Sequence, residues 1–238
     1  MILQAPFRGK LRAFSQAGFR LAAQPCLLCR DRATGDLCPA CFRDLPWNDH
    51  ACAQCAQPLP PLPSAICGAC ARKPPQIDAA FAAFLYAWPV DRLLHRFKFR
   101  GHLANGRTLA LALGEYLDLR GAPRPDLILP VPLHRRRLAE RGFNQAGEIA
   151  RTLGRCLDVP VAHDAARRIR ATPAQRGLER SARRSNLKGA FECRRRFDAQ
   201  HVAVVDDVVT TASTADALAH ALKNAGAAKV SLYALARA

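Results

Sequence analysis

The sequence predicts an α/β protein in which a mainly parallel sheet, with helices on both faces, follows a small cysteine-rich module. Short apolar runs alternate with helix-forming segments from residue 76 onward. One of these runs, residues 202–205, ends in two acidic residues and leads into a helical segment, as expected of a strand–loop–helix unit. Four pairs of cysteines lie between residues 26 and 70, ahead of the alternating part of the chain.

The first segment of the chain has an amphipathic pattern. Phe7, Leu11, Phe14 and Leu21 recur near helical spacing, which predicts a helix that docks on the core or on a partner. No run of about 18 apolar residues occurs, so we expect no transmembrane segment and predict a cytoplasmic location. The 238 residues, half of them hydrophobic, suffice for one sizeable domain and a small module. We divide the chain into an N-terminal amphipathic segment, a cysteine-rich module and an α/β domain, at residues 1–24, 25–75 and 76–238.

The eight clustered cysteines form four C-x-x-C pairs, a spacing that places two thiolates on one side of a tight turn. Two such pairs complete a tetrahedral site, and soft thiolates favour Zn²⁺ over hard cations. A disulfide scaffold requires an oxidising compartment, and a redox site uses one C-x-x-C pair rather than four in series. We therefore predict one or two structural zinc ions. An iron–sulfur cluster is an alternative that thiolates alone leave open. The predicted ligands are Cys26, Cys29, Cys38, Cys41, Cys52, Cys55, Cys67 and Cys70.

The four cysteine pairs can share two metal ions in two ways. Sequential pairing joins the first pair with the second and the third with the fourth, which suits two stacked zinc ribbons. A cross-brace, which joins the first pair with the third, is the alternative. In both cases the metal stabilises a module that has little apolar material of its own. Cys156 and Cys193 have no second cysteine nearby, so we interpret them as core or near-surface thiols.

The elements of the α/β domain follow from its hydrophobic pattern. Residues 72–75 are rich in proline and positive charge and are interpreted as the linker into this domain. The first helix presents an apolar face that includes Leu94 and Phe97, whereas Lys98 is directed away from it. The predicted elements up to residue 157 are a strand at 78–88, helices at 90–98 and 103–119, a strand at 126–132 and a helix at 143–157.

A basic loop is predicted between the strand at 126–132 and the helix at 143–157. Positive charge is concentrated from this loop onward, since residues 134–196 hold 17 of the 36 basic residues but six of the 19 acidic ones. A chain with a net charge of +17 is expected to bind polyanions: nucleic acid, phosphorylated ligands or an anionic membrane surface. Arginine suits phosphate because its guanidinium makes paired hydrogen bonds, although a solvated surface loop is the alternative.

The apolar strand at residues 202–205 ends in Asp206 and Asp207. A Thr/Ser-rich turn, a helix at 212–224 and a strand at 228–235 follow. The N-terminus of such a helix attracts phosphate through its unpaired N–H groups and the positive end of its dipole. The two carboxylates lie where open α/β sheets hold ligands, so we expect them to accept hydrogen bonds from sugar hydroxyls or to organise Mg²⁺.

These residues resemble a known motif. Asp-Asp between apolar pairs, followed by Thr-Thr-x-x-Thr, is similar to the phosphoribosyl pyrophosphate (PRPP) motif of type I phosphoribosyltransferases. With its cysteine pairs and its P-x-P-L-H-x-R-R and R-G-F-N-Q stretches, the chain from Pro25 onward resembles the competence protein F (ComF) family. The resemblance implies a phosphoribosyltransferase-like sheet preceded by a double zinc ribbon. Ala212 stands where the motif often has glycine, and alanine suits this position if its φ is negative.

The resemblance assigns a role to each of the two loops. The two acids become candidate catalytic residues that hold the ribose hydroxyls, namely Asp206 and Asp207. The basic loop, together with Mg²⁺, is expected to stabilise the departing pyrophosphate. The predicted PRPP-binding residues are Thr210, Thr211, Ala212, Ser213, Thr214, His134, Arg135, Arg136 and Arg137.

A second arginine-rich stretch lies between residues 167 and 190. It resembles the family segment that covers the reaction site of type I transferases, where a lid protects the ribosyl centre from water. The same arginines also suit the phosphates of a nucleic acid. The residues that serve as lid or nucleic-acid contact in these two interpretations are Arg176, Arg180, Arg183 and Arg184.

The resemblance implies a PRPP-binding protein linked to natural transformation, which handles incoming single-stranded DNA with the DNA-uptake machinery. The alternative is an active phosphoribosyltransferase that moves ribose 5-phosphate from PRPP to an acceptor in nucleotide metabolism or salvage. No general base is evident in the sequence, so enzymatic activity stays open. Few aromatic residues lie among the arginines, so no platform for stacking bases is evident either.

Overall fold

The computed structural model describes residues 24–61, 65–170 and 189–238. The predicted N-terminal helix and the four predicted lid arginines lie outside these ranges. In chain order the elements are β1 (Gln24–Pro25), β2 (Arg32–Ala33), α1 (Pro39–Arg43), α2 (Gly68–Arg72), β3 (Ala79–Leu85), α3 (Val90–Arg100), α4 (Leu103–Leu119), β4 (Leu127–Pro130), α5 (Arg135–Arg141), α6 (Gln145–Leu157), β5 (Ala166–Arg168), β6 (Phe191–Cys193), β7 (His201–Val209), α7 (Ser213–Asn224) and β8 (Lys229–Arg237).

A four-stranded sheet forms the centre of the α/β domain. Its strand order is β3–β8–β7–β4, and every neighbouring pair is parallel. Buried residues of α7 pack against one face, whereas α3, α4 and α6 cover the other. Because helices cover both faces of the sheet, all four residues of β4 are buried. This explains why the strand is apolar throughout. The predicted parallel sheet with helices on both faces is therefore confirmed.

Helix α3 runs along the carboxyl edge of the sheet, where the parallel strands end. It begins five residues after β3 ends, and its Lys98 reaches Asp207 on β7, with β8 lying between the two strands. Because β3 and β7 are parallel, the start of α3 and its Lys98–Asp207 contact both lie at the carboxyl edge of the sheet. Gly106 allows α4 to pack closely on α3, since a Cβ at this position would lie 2.5 Å from the ring of Phe97.

Two parts of the chain differ from the sequence prediction. The predicted basic loop is the start of a helix, α5, which has no buried residue. Residues on either side of 171–188 form an antiparallel hairpin, β5–β6, in which Arg167 pairs with Glu192. No helix in the described part of the chain is both long and apolar enough to cross a membrane.

The cysteine-rich module packs on the outer edge of the sheet. Asn48 donates its N–H to the carbonyl of Ala83, and Leu85 donates to Pro46, so a short segment pairs with β3. The ring of Trp47 contacts the ring of Phe84 at 4.6 Å between centroids. An edge strand exposes unpaired backbone groups, and the module covers those of β3.

Candidate functional site

Two loops meet at the carboxyl edge of the sheet. Strand β4 pairs with β7 up to Pro130 and Val205, and the Val131 N–H donates to the Val205 carbonyl at 2.9 Å. Strand β7 continues beside β8, so Asp206 and Asp207 lie beyond the end of β4. The basic segment that follows Val131 therefore begins next to the two acids.

The two carboxylates have different neighbours. The Nζ of Lys98 lies 3.0 Å from Oδ2 of Asp207, and both side chains are largely buried. Asp206 accepts a hydrogen bond from the Asp207 N–H at 2.9 Å. Burial raises the pKa of Asp206 to about 7 and the charge of Asp207 adds to this, whereas Lys98 and Arg168 oppose it. The site thus holds one ion-paired carboxylate and one that exchanges its proton near neutral pH.

The Thr/Ser-rich turn connects the acids to the N-terminus of α7. The hydroxyls of Thr211 and Ser213 lie 2.9 Å apart, Thr210 is exposed and Thr214 is partly buried. Ala212 precedes α7 with a φ of +57°, so the condition under which alanine suits this position, a negative φ, is not met. Its methyl group cannot cap the helix, which leaves N–H groups of the first turn to other acceptors.

The basic segment is ordered by its own helix. The Nδ1 of His134 accepts a hydrogen bond from the Arg136 N–H at 3.3 Å and caps α5. Arg135 and Arg136 are exposed, and Arg136 donates to Glu140 at 3.1 Å. Arg137 is half-buried, and its charge reaches Arg168 in the β5–β6 hairpin. Of the three predicted pyrophosphate-binding arginines, Arg137 is therefore the one whose charge acts on the hairpin.

A cavity of about 640 Å³ lies between the start of α5 and the β5–β6 hairpin. Burial lowers the pKa of Arg168 and the charge of Arg137 contributes, while Asp206 opposes the shift. Arg167 is paired with Glu192 at 2.9 Å, and Asp164 adds one negative charge to the lining. The cavity is otherwise basic, so it suits an anionic group; its lining includes neither Asp206 nor Asp207, and its link to Asp206 is the charge of Arg168. Its cationic and imidazole lining residues are His134, Arg135, His163, Arg167, Arg168 and Arg194.

The eight clustered cysteines form two separate groups of four. Within each group the Sγ atoms lie within 4.8 Å of one another, and the groups follow sequential pairing, not the cross-brace. The Sγ atoms of Cys29 and Cys38 are 3.7 Å apart, as are those of Cys55 and Cys67. Zinc–sulfur bonds of about 2.3 Å in a tetrahedron place sulfur atoms about 3.8 Å apart, so both groups fit Zn²⁺. These closed, all-thiolate sites serve structure and leave no position open for chemistry.

Sequence reasoning missed two cations at the site. Lys98 was assigned to the outer side of α3, and Arg168 was placed at the start of a long loop. Lys98 could have been found from the short connection between β3 and α3. A helix that follows a strand so closely runs along the carboxyl edge of the sheet, which brings its last turn to the neighbouring strand ends. No local pattern identifies Arg168, whose position depends on the β5–β6 pairing.

Comparisons with known proteins agree with this arrangement. The family model of the double zinc ribbon domain matches residues 21–76. The family model of the phosphoribosyl transferase domain matches residues 138–238, which include both acids, the Thr/Ser-rich turn and most of α5. The parallel sheet is therefore of the phosphoribosyltransferase type, and the cysteine groups are those of a double zinc ribbon.

Relatives matched over nearly their whole length extend the match to about nine tenths of this chain. Competence protein F of Haemophilus influenzae is 35% identical over 225 residues, which cover 90% of this chain and 96% of the relative. DNA utilization protein YhgH of Escherichia coli K12 is 38% identical over 221 residues, covering 89% and 96%. Competence protein ComFC of Bacillus subtilis is 25% identical over 248 residues, covering 94% and 99%. The chain therefore belongs to the competence protein F family, in which a double zinc ribbon precedes a phosphoribosyltransferase-like domain.

Proposed function

We propose that the carboxyl edge of the sheet binds PRPP. The observation that carries this proposal is the position of Asp206 and Asp207 in the carboxyl-terminal half of β7, ahead of the turn that leads to the N-terminus of α7. The turn from Thr210 to Thr214 offers hydroxyls and N–H groups to the 5′-phosphate, and the acids accept hydrogen bonds from the ribose hydroxyls. Arg137 and the basic cavity take the pyrophosphate, whose charge they offset.

Mg²⁺ is part of this proposal. Carboxylate oxygens are suitable ligands, and Mg²⁺ is commonly held by one or two carboxylates together with the phosphates of a substrate. Asp207 is already paired with Lys98, so the carboxylate of Asp206 is the better candidate. When bound, the ion would neutralise pyrophosphate charge at the start of α5.

The cellular role that we propose is the handling of single-stranded DNA during natural transformation, in the cytoplasm and together with the DNA-uptake machinery. The names of the relatives support it, since one set is called competence protein and the other DNA utilization protein. The net charge of +17 supports it too, because a basic chain attracts a polyanion.

Phosphoribosyl transfer is the second candidate function, and the environment of Asp206 favours it. A carboxyl with a pKa near 7 suits general acid–base catalysis at neutral pH. In such a reaction the bond between ribose C1 and the pyrophosphate oxygen breaks, and a bond from C1 to an acceptor nitrogen forms. The acceptor proton passes to Asp206. Release of pyrophosphate from PRPP with a panel of bases and amines tests this activity.

Calorimetry with PRPP and Mg²⁺ tests the binding site. We expect the double variant Asp206→Asn, Asp207→Asn to bind at least about 100-fold more weakly, because hydrogen bonds to charged groups contribute about 1.5–3 kcal/mol each. Asp158→Asn, at an exposed position, is the matched control and should bind as the wild type does. Equal affinity of the double variant and the wild type would refute the assignment.

The pH dependence of PRPP binding distinguishes the ionisation of Asp206 from the ionisation of the ligand's own phosphates. Since its pKa is about 7, Asp206 becomes a full acceptor as the pH rises from about 6 to about 8. PRPP affinity should therefore rise over this interval in the wild type. In Asp206→Asn the rise in PRPP affinity should shrink to the part that ionisation of the ligand's phosphates contributes. An undiminished rise would exclude Asp206 as the source of the pH dependence.

A further inference from the structure

The outer side of α3 carries a mixed aromatic and basic surface, the α3 face, made of Trp88, Arg92, Arg96 and Phe99. Trp88 is 70% exposed and Phe99 is 62% exposed, and both arginines are exposed. The four residues follow one another at spacings of four, four and three, so those on the helix share one side of it. Contiguous exposed apolar surface that is rimmed by polar side chains marks an interaction site.

The α3 face borders a groove of about 320 Å³ beside the first zinc site. Leu27 and Leu28 come from the first cysteine knuckle, and Leu93 comes from α3. Trp88, Arg92 and Arg96 also line the groove, as do Asp44, Pro89 and two zinc-site cysteines, so an apolar floor is flanked by one indole ring and two cations. A flat apolar ligand that carries negative charge at its edge matches this groove.

The surface continues from this groove towards the proposed PRPP site. The ring of His95 lies 4.9 Å from that of Phe99, and the guanidinium of Arg141 lies 5.6 Å from the Phe99 ring. Arg141 is the last residue of α5, the helix that starts at the basic segment. Aromatic and cationic groups are thus interspersed from the zinc ribbon to α5. Asp91, the acid nearest to them on α3, accepts a hydrogen bond from the Arg92 N–H.

We propose that the α3 face binds single-stranded nucleic acid, with a base stacked on Trp88 and the adjoining phosphates paired with Arg92 and Arg96. Stacking on aromatic rings beside a cationic track is how single strands are held without sequence preference. A duplex keeps its bases inside, so it cannot use the exposed indole. The inference rests on the proposed DNA-handling role and locates it at a surface separate from the PRPP-binding residues.

The two tryptophans of the chain make Trp88 directly observable. Trp47 is buried against Phe84, whereas Trp88 is exposed. In a Trp47→Phe background, stacking of a base on Trp88 should quench the remaining indole fluorescence as oligo(dT) of about 15 nucleotides is added. Duplex DNA of the same length should bind more weakly and quench little. Saturable binding of oligo(dT) without any quenching would overturn the assignment.

Substitutions then measure each contribution by fluorescence anisotropy of labelled oligo(dT). Trp88→Ala should weaken binding about 5- to 150-fold, and Trp88→Phe should restore most of it. Arg92→Ala with Arg96→Ala should reduce the slope of log affinity against log salt by about 1.4, since each phosphate contact on a single strand contributes about 0.7. Arg155→Ala, which removes one exposed charge from α6, is the matched control and should retain wild-type affinity in the salt at which Trp88→Ala is compared.

Three further outcomes would overturn the inference. They are unchanged oligo(dT) binding in all α3-face variants, no binding by the wild type at about 50 mM salt, and equal binding of polyglutamate or of anionic vesicles. PRPP calorimetry on Trp88→Ala keeps the two proposals apart, because loss of DNA binding with normal PRPP binding supports the α3 face alone. Loss of both in this variant would show a damaged fold and count against the inference.

Discussion

At the scale of single residues, Ala212 has the least favourable backbone of the candidate site. A φ of +57° costs a residue with a Cβ about 1 kcal/mol or more relative to glycine. The surrounding fold maintains it, since Ala212 is buried and its carbonyl accepts the first helical hydrogen bond of α7, from Asp216. Unfavourable backbone conformations of this kind are retained where they position a binding loop.

Replacement of Ala212 by glycine should therefore stabilise the protein. We expect the midpoint of thermal unfolding to rise by about 2–4 °C, the shift that about 1 kcal/mol produces in a chain of this size. Ala215→Gly, inside α7, is the matched control and should lower the midpoint, because glycine is unfavourable in a helix interior. A midpoint for Ala212→Gly at or below the wild-type value would contradict the strain that we assign to this residue.

Residue-scale prediction from sequence depends on chemistry and spacing that are local. Asp206 and Asp207 were singled out because two acids at the end of an apolar strand need a reason to be there, and the cysteine pairs because their spacing is that of metal ligands. Lys98 and Arg168 were not found because each reaches the acids across a large separation in sequence. Their side chains have ordinary local surroundings, and only the folded sheet edge brings them to Asp206 and Asp207.

At the scale of secondary structure, α3 is the element on which the site depends most. The Lys98–Asp207 pair is shielded from solvent, with side-chain exposures of 17% and 14%. Ion pairs in such positions contribute when both partners are present, and removal of one partner leaves an uncompensated charge. The pair therefore fixes the last turn of α3 against the end of β7.

Lys98→Met should lower the free energy of unfolding by about 2 kcal/mol, between the values for exposed and for fully buried pairs. Adding Asp207→Asn should recover part of this loss, because the isolated carboxylate is then gone. The measurement is urea denaturation in the presence of zinc. Lys223→Met, which breaks the more exposed pair with Asp78, is the control and should cost less. Strictly additive losses in the double variant would show that Lys98 and Asp207 are not coupled.

The sequence identified most elements because their apolar periodicity is clear. Helix α4 occupies the predicted residues 103–119, and β7 includes the predicted strand but continues through the acids to Val209. Helix α5 was missed because it buries no residue and so has no apolar period to detect. The β5–β6 hairpin was missed because three-residue strands are too short for alternation to be recognised and their pairing spans a long separation in sequence.

At the scale of the whole molecule, the zinc ribbons are integrated with the α/β domain. Tyr116 on α4 donates its hydroxyl to the carbonyl of Asn48 at 2.9 Å, and Thr108 donates to Asp36 at 2.7 Å. The side chain of Asn48 in turn donates to the carbonyl of Ala56 at 3.0 Å. Because these bonds connect the module to α4 and β3, loss of zinc should destabilise the domain and not the module alone.

Double cysteine variants test the metal sites. With sequential pairing, Cys26→Ser with Cys38→Ser should leave one zinc ion per chain, whereas Cys26→Ser with Cys52→Ser should leave none. A cross-brace gives the reverse result. Zinc content by mass spectrometry of the purified chain decides between them, with two ions expected in the wild type. Thermal unfolding of both variants should begin at a lower temperature than that of the wild type.

Helix α3 has one side against Asp207 and the other towards solvent, and this shared position has a thermodynamic consequence. Any movement of its last turn that accompanies occupation of the carboxyl edge also displaces Arg96 and Phe99 on the outer side. Linkage is reciprocal, so the factor by which one ligand alters the affinity for the second equals the factor in the opposite direction. A sugar-phosphate would in this way act as a regulator of strand capture, and the captured strand would regulate the sugar-phosphate to the same extent.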